Sequence, residues 1–308
     1  MSLSSEIKRY AKEIGVDLIG FAKADFDEEG EERLKNFIAR KRHGQMRYLE
    51  NYQNRVRPQN LLRSAKTVIV IAINYYREAE PVPSGYGRIA RYAYGRDYHK
   101  VIKKLLNNLV AFIKKQNPSA DCRICVDSSP LLEKNYAVKA GLGFIGKNTT
   151  LITPQFGSFV LLGEIITNLE LAYDSPATGT CGTCTRCIDA CPTKAIVGER
   201  ELDATRCISY LTIENRKQIP KQFHHAMSNW IFGCDICQEV CPYNKQNAKP
   251  LQLEELKKVK IAGGSIPLDE ILNLKSDEDF LGRFAGSPLM RAKRKGIIRN
   301  AKIALKNA

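Results

Sequence analysis

The sequence predicts an α+β chain in three parts: an α/β unit over residues 1–170, a cysteine-rich module over 171–249 and a basic helical segment over 250–308. Three observations carry this. Strand-like runs alternate with helix-like ones up to about residue 170, eight of the ten cysteines crowd between 181 and 241, and no acid follows Asp279. Residues 5–14 pattern as a short amphipathic helix stopped by Gly15, and V-D-L-I-G-F-A at 16–22 follows as a strand. T-V-I-V-I-A-I at 67–73 is an unbroken apolar run, the pattern of a strand buried on both faces. Asp97 caps a helix whose apolar positions Val101, Leu105, Leu109, Phe112 and Ile113 recur at helical spacing. A strand at 122–126 leads into Asp127, and 133–140 reads as a helix ending at Gly141. L-I-T-P-Q-F-G-S-F-V-L-L at 151–162 reads as two strands joined by a Pro/Gly turn, and A-Y-D-S-P-A-T-G-T at 172–180 as a linker. The final segment, 293–308, has the form of one helical unit of a repeat array.

With 308 residues, 44% of them hydrophobic and 26% charged, the chain can bury one large core and a smaller module. It holds no run of eighteen apolar residues, and its start lacks the apolar stretch of a signal peptide and the twin-arginine pattern. The expectation is a cytoplasmic chain with no membrane span, in a compartment that keeps thiols reduced. The net charge is +15, concentrated in the acid-free run Arg283, Arg291, Lys293, Arg294, Lys295, Arg299, Lys302 and Lys306. Such a run favours a polyanion such as nucleic acid; a solvated helix face is the plain alternative. A second basic stretch, Arg40 to Arg63, is diluted by acids.

Cys181, Cys184, Cys187 and Cys191 read C-x2-C-x2-C-x3-C ahead of Pro192, and Cys234, Cys237 and Cys241 read C-x2-C-x3-C ahead of Pro242. This resembles the ligand run of bacterial ferredoxins with two [4Fe–4S] clusters, in which the cysteine before proline crosses to the other cluster. On that pattern Cys181, Cys184, Cys187 and Cys241 hold one cluster, and Cys191, Cys234 and Cys237 three corners of the other. The place for its fourth ligand is Ile231, which cannot bind iron, so Cys207 is the substitute. Zinc sites and disulfides also use C-x2-C spacing, but neither calls for the triplet or for two cysteines each followed by proline. Cys122 and Cys125 have the spacing of a redox pair, yet they sit in the apolar run C-R-I-C-V of a strand.

A ferredoxin-like module only carries electrons, so their acceptor belongs to the first 170 residues. G-L-G-F-I-G at 141–146 has the spacing of a dinucleotide fingerprint but follows a helix. Asp97, Tyr98 and His99 approach the D-x-H-x-x-G signature of some cobalamin proteins, but Ile102 stands where glycine is required, and His99 reads as a helix-start residue. V-D-S-S-P-L-L-E-K at 126–134, A-G-L-G-F-I-G-K-N at 140–148, R-V-R-P at 55–58 and Y-G-R-D-Y-H at 94–99 join the cysteine runs and Cys207 in one pattern. Over nearly its whole length the chain resembles the epoxyqueuosine reductases.

The resemblance implies a nitroreductase-like domain that binds cobalamin, followed by a domain with two [4Fe–4S] clusters. It implies reduction of epoxyqueuosine in a tRNA anticodon loop to queuosine, by a monomer fed from an unidentified electron donor. Removing an epoxide oxygen as water takes two electrons and two protons, and Asp127 matches the family's proton donor, with Glu133 as the fallback acid. A carboxyl that donates at neutral pH must be held protonated, which burial against the corrin would favour. Arg55, Ala90, Leu151 and Leu162 are implied around the corrin, with the backbone of Gly141 and Gly143 nearby and Asp235 on the cluster side. The family's C-terminal HEAT-like repeats reduce here to a first helix, which places tRNA contacts on Arg291, Lys293, Arg294, Lys295 and Arg299. Plainer roles remain open: Asp127 as cap of the turn before Pro130, and the glycines as a helix stop and turn. Two other functions share features with this pattern. A cobalamin-dependent reductive dehalogenase has nearly the same cysteines but is usually exported, and a non-catalytic electron-transfer or tRNA-binding adaptor would bind no corrin.

Overall fold

The computed structural model describes residues 2–257 and 261–307. Ser2 caps the first helix, Leu3–Glu13, by accepting the Ser5 N–H, and Gly15, at φ 91°, turns the chain toward the strand Leu18–Lys23. That strand, Thr67–Asn74, Val160–Thr167 and Cys122–Cys125 lie side by side in this order as an antiparallel sheet. Every residue of 67–74 is buried. Ile69, Ile71 and Ile73 pack with the first helix and with Tyr98–Gln116, while Val68, Val70 and Ala72 pack with Tyr136 and Ala137 of the helix Glu133–Lys139. A strand covered on both faces needs an unbroken apolar run in place of alternation, which is what the sequence shows. Asp97 caps helix 98–116 by accepting the His99 N–H.

The two strands read at 151–162 exist but do not pair with each other. Leu151–Ile152 pairs with Phe144–Ile145, and Val160–Thr167 enters the main sheet, the turn between them closed by a bridge from Thr153 to Gly157. The linker at 172–180 has no helix or strand, and its Asp174 is held by Lys8 and by the Phe21 N–H.

A second sheet draws one strand from each of the three sequence segments. Tyr86–Ile89 lies in the middle, with Trp230–Phe232 parallel on one side and Ser265–Pro267 antiparallel on the other. The C-terminal helices Leu268–Leu272, Asp277–Phe284 and Lys293–Ala304 close a core around it that includes Ile89, Phe232, Ile266, Phe284 and Ile297. Buried Asn300 ties the last helix down, donating to the carbonyls of Thr212 and Ile231 at 2.8 Å each. The class is α+β, as the sequence predicts, and no described helix is long and apolar enough to cross a membrane.

Candidate active site and cluster ligands

The cysteines fall into two groups. Cys181 and Cys184, leading into the helix Arg186–Ala190, Cys187 in its first turn, and Cys241, capping Pro242–Asn247, line one cavity of about 670 Å³ with Lys147, Ile152 and Tyr243. Cys191 follows the end of helix 186–190, Cys207 caps Ile208–Ile213, and Cys234 and Cys237 flank the start of Ile236–Glu239. Burial holds the Cys237 thiol up, and the charges of Cys207, Cys187 and Cys191 add to it; Cys234 is raised by burial, with Cys207 and Cys237 adding. Cys207 packs in one apolar cluster with Cys234 and lies near Cys191 and Cys237, while Ile231 is fully buried in the apolar core.

Backbone N–H groups of Ser209 and Tyr210 meet the Cys207 sulfur, and those of Tyr243 and Asn244 meet Cys241. Further N–H groups reach Cys181 from Lys147 at 3.5 Å and Cys191 from Ala195 at 3.2 Å. Such donors stabilise thiolates and tune cluster potentials. Among the described residues no three His, Cys, Asp or Glu side chains converge on one metal ion. Two groups of cysteines supplied with N–H donors fit the thiolate ligands of two four-iron clusters. Cys122 and Cys125 lie apart from both groups on the main sheet. Burial raises both thiols, that of Cys125 to about 12, so both rest protonated.

Asp127 follows strand 122–125 at φ 43°, a left-handed conformation that aspartate tolerates better than most residues. Among the described residues its side chain accepts no N–H of the turn before Pro130, which closes through the Ser129 N–H on the Val126 carbonyl at 3.3 Å. The Asp127 carboxylate instead meets His99 Nε2 at 2.9 Å, and Nδ1 of the same ring meets Asp97 at 2.6 Å. Burial works against the imidazolium, but the hydrogen bonds and charges of Asp127 and Asp97 outweigh it and hold His99 up to about 9. At neutral pH the ring is charged and donates to both carboxylates. The Asp127 N–H donates to Glu133, and the Asp127 side chain is 56% exposed, so its carboxyl can be reached from outside. His99 is a helix-start residue in its backbone, as its sequence position suggests. Its second contact, across to Asp127, comes from the fold.

An aromatic wall runs from Asp127 toward the second cysteine group. Tyr98 stacks on His99 at 4.2 Å between ring centroids, Tyr92 meets Tyr98 edge-on at 6.0 Å, and Phe232 lies 6.1 Å from Tyr92. Burial, then the Asp127 charge, raises both phenols, and Tyr92 also feels Asp235 between the cluster cysteines. Asp235 is itself buried and held by the Arg91 N–H and Nη1, each at 2.9 Å. Arg55 is buried, its guanidinium 5.3 Å from the Tyr48 ring centroid and its Nε without a hydrogen-bond partner among the described residues. A buried donor left free beside the Tyr48 ring fits a group that brings an acceptor, such as the amide oxygens a corrin carries. Ala90 is buried and Leu162 partly buried. Packing accounts for the rest: a Cβ on Gly141 would lie 2.8 Å from the Ser175 carbonyl oxygen, one on Gly143 2.2 Å from that of Ile152, and Leu151 is buried in the core around Tyr136.

The basic C-terminal residues divide. Arg291 forms a two-bond pair with Glu214 at 2.7 and 3.0 Å, and Arg294 pairs with Asp277 at 2.8 Å. Arg299 braces the chain, donating to the carbonyls of Leu211, Asn215 and Lys217, and burial with the Arg216 charge lowers it to about 10. Lys293 and Lys295 are exposed, as are Arg216 and Lys217, which their position inside the cysteine-rich module hides from a reading of the C-terminal run. Arg216 donates to the Arg291 and Ala292 carbonyls. Burial raises the Tyr48 phenol, and Glu214, Arg291, Asp127 and Arg55 all act on it, so the basic face and Asp127 border the same residue.

Fold and thiol groups define the class: an iron–sulfur oxidoreductase in which an α+β unit is joined to a double-cluster module. Family models match in the same places, the "4Fe-4S double cluster binding domain" at residues 180–244 and "Epoxyqueuosine reductase QueG, DUF1730" at 55–128. An epoxyqueuosine reductase of Leadbetterella byssophila is 45% identical over 298 residues, 96% of each chain, and one of Gloeobacter violaceus is 40% identical over 307 residues, 98% of this chain and 95% of its own. The solved epoxyqueuosine reductase of Streptococcus thermophilus superposes with a TM-score of 0.90 at 34% identity, covering 100% of this chain and 82% of that one. An epoxyqueuosine reductase crystallised with a tRNA-Tyr epoxyqueuosine-modified stem loop gives 0.89 at 35% identity, covering 99% and 81%. This chain belongs to the epoxyqueuosine reductase family. A catabolic reductive dehalogenase shares the fold alone, at 18% identity and a TM-score of 0.51.

Proposed function

We propose that the chain reduces the epoxide of epoxyqueuosine in a tRNA anticodon loop to the alkene of queuosine, with cobalamin and two [4Fe–4S] clusters as cofactors and Asp127 as proton donor. One observation carries the reading: a reachable Asp127, paired with a cationic His99, stands between the aromatic wall of the second cysteine group and the basic face. The names of the relatives and the solved tRNA stem-loop complex support the substrate. A Bacillus subtilis relative, described with its catalytic aspartate loop swung out of the active site, supports an aspartate on a loop in this role.

In this reading residues 1–170 bind cofactor and substrate, 171–249 carry electrons from an external donor, and 250–308 meet the tRNA. Cobalamin, when bound, supplies a metal centre that can bond carbon and take electrons singly. The residues of the chain supply the rest. Asp127 relays to the epoxide oxygen the proton that His99 carries, Asp97 keeps the imidazole oriented for that transfer, and Arg55 offers its free Nε–H to the cofactor periphery. Lys293, Lys295, Arg216 and Lys217 neutralise phosphates.

Asp127→Asn is the test, because asparagine accepts the left-handed backbone and keeps the shape while losing the proton. The variant keeps both clusters and binds cobalamin but forms queuosine on the order of 10² to 10⁴ times more slowly. Wild-type turnover in Asp127→Asn removes it as proton donor.

A further inference from the structure

An epoxide becomes an alkene and water by taking up two electrons and two protons, with both C–O bonds broken and the oxygen leaving as water. The clusters carry electrons only, and the Asp127–His99 pair holds one proton. The other neighbour of Asp127 is Glu133, whose carboxylate accepts the Asp127 N–H. The helix that begins at Glu133 packs on strand 160–167, and there Glu133 faces Glu164. Glu164 is fully buried on strand 160–167, in register with Val70 on one side and Cys125 on the other, and neither of its oxygens has a hydrogen-bond donor among the described residues.

A lone carboxyl inside the run V-L-L-G-E-I-I-T does no packing that valine would not do better. Two carboxylates facing each other where a helix start meets a buried strand resist being ionised together, and two acceptors form a hydrogen bond only when one carries a proton. Burial, then the Glu133 charge, raises Glu164, and burial, then the Asp127 charge, raises Glu133. The other titratable groups facing the pair are Lys134, Arg55, Tyr98 and Cys125.

We propose that Glu133 and Glu164 share one proton and pass it to Asp127 between the two protonation steps, so that the site begins turnover holding both protons the reduction consumes. This rests on the reading of Asp127 as proton donor. After delivery the pair is left as two carboxylates and takes its proton back from solvent through Glu133, which is only partly buried.

Infrared spectra of the cluster-loaded protein, without cobalamin or tRNA, read the shared proton directly. At neutral pH they show the carbonyl stretch of an un-ionised carboxylic acid, which Glu164→Gln abolishes and Asp127→Asn keeps. In turnover, Glu164→Gln slows queuosine formation by on the order of 10²-fold, with cluster content and tRNA affinity unchanged. Its activity also falls at lower pH than that of wild type on the alkaline side, because the variant lacks the reserve. Glu133→Gln gives the same turnover readout should Glu164→Gln lose its clusters. Absence of the acid band in wild type overturns the inference, and so does wild-type turnover in Glu164→Gln. Wild-type protein that shows the band yet makes no queuosine contradicts the reading of function while establishing the shared proton.

Discussion

His99 holds its proton because two carboxylates grip the ring from both sides, and that grip links stability to pH. Its value is raised from about 6.5 to about 9 on folding, so the contribution is complete below pH 6.5 and is lost as pH rises through 9. His99→Gln should therefore lower the melting temperature most below pH 6.5 and hardly at all above 9; a pH-independent difference would mean that the pair is not ionic. Cys207 makes a separate demand. Cys207→Ser should remove or convert one cluster and spare the other, seen as a drop in iron and an altered cluster spectrum, whereas an unchanged iron count would give the fourth corner to another ligand. At this scale the sequence is legible where chemistry is written locally. The cysteine runs show their spacing within a few residues, and Cys207 is proposed as the fourth corner because isoleucine cannot bind iron. The contacts of Asp127 with His99 and of Glu133 with Glu164 join residues far apart in the chain, and no local pattern marks them. The one signal for Glu164 is a charge where the strand pattern wants none.

The strand 67–74 is the element most fully written in sequence, since burial on both faces demands the continuous apolar run that its residues form. The strand Trp230–Phe232 is the opposite case. It is short and lies between the cluster cysteines, and only its partners Tyr86–Ile89 and Ser265–Pro267 make it part of a sheet. The last helix holds this arrangement through Asn300. Asn300→Leu leaves the Thr212 and Ile231 carbonyls buried and unpaired, at a cost of about 1–3 kcal/mol for each group. The variant should melt at lower temperature and lose iron from the second cysteine group, because Cys234 directly follows the Phe232–Gly233 segment. A variant as stable as wild type, with its iron intact, would mean that the helix is not what anchors this strand.

Across the whole molecule, net charge announces a polyanionic partner but not where it lies. Arg294 and Arg299 belong to the same run as Lys293 and Lys295, yet the fold engages them with Asp277 and with backbone carbonyls, and it adds Arg216 and Lys217 from a different part of the chain. Replacing Lys293, Lys295 and Arg216 by alanine should weaken tRNA binding and flatten its salt dependence by about one unit of slope for each phosphate that is no longer neutralised. An unchanged slope would return these residues to a solvated face.

The central claim, that electrons entering through the clusters remove the oxygen of an epoxide on tRNA, is tested most directly by the mass of the modified nucleoside. Protein with both clusters assembled anaerobically is incubated with epoxyqueuosine-bearing tRNA and a low-potential reductant, with and without cobalamin, and the tRNA is then digested. The nucleoside should lose one oxygen only when cobalamin and reductant are both present; an unchanged nucleoside with both clusters intact would contradict the account.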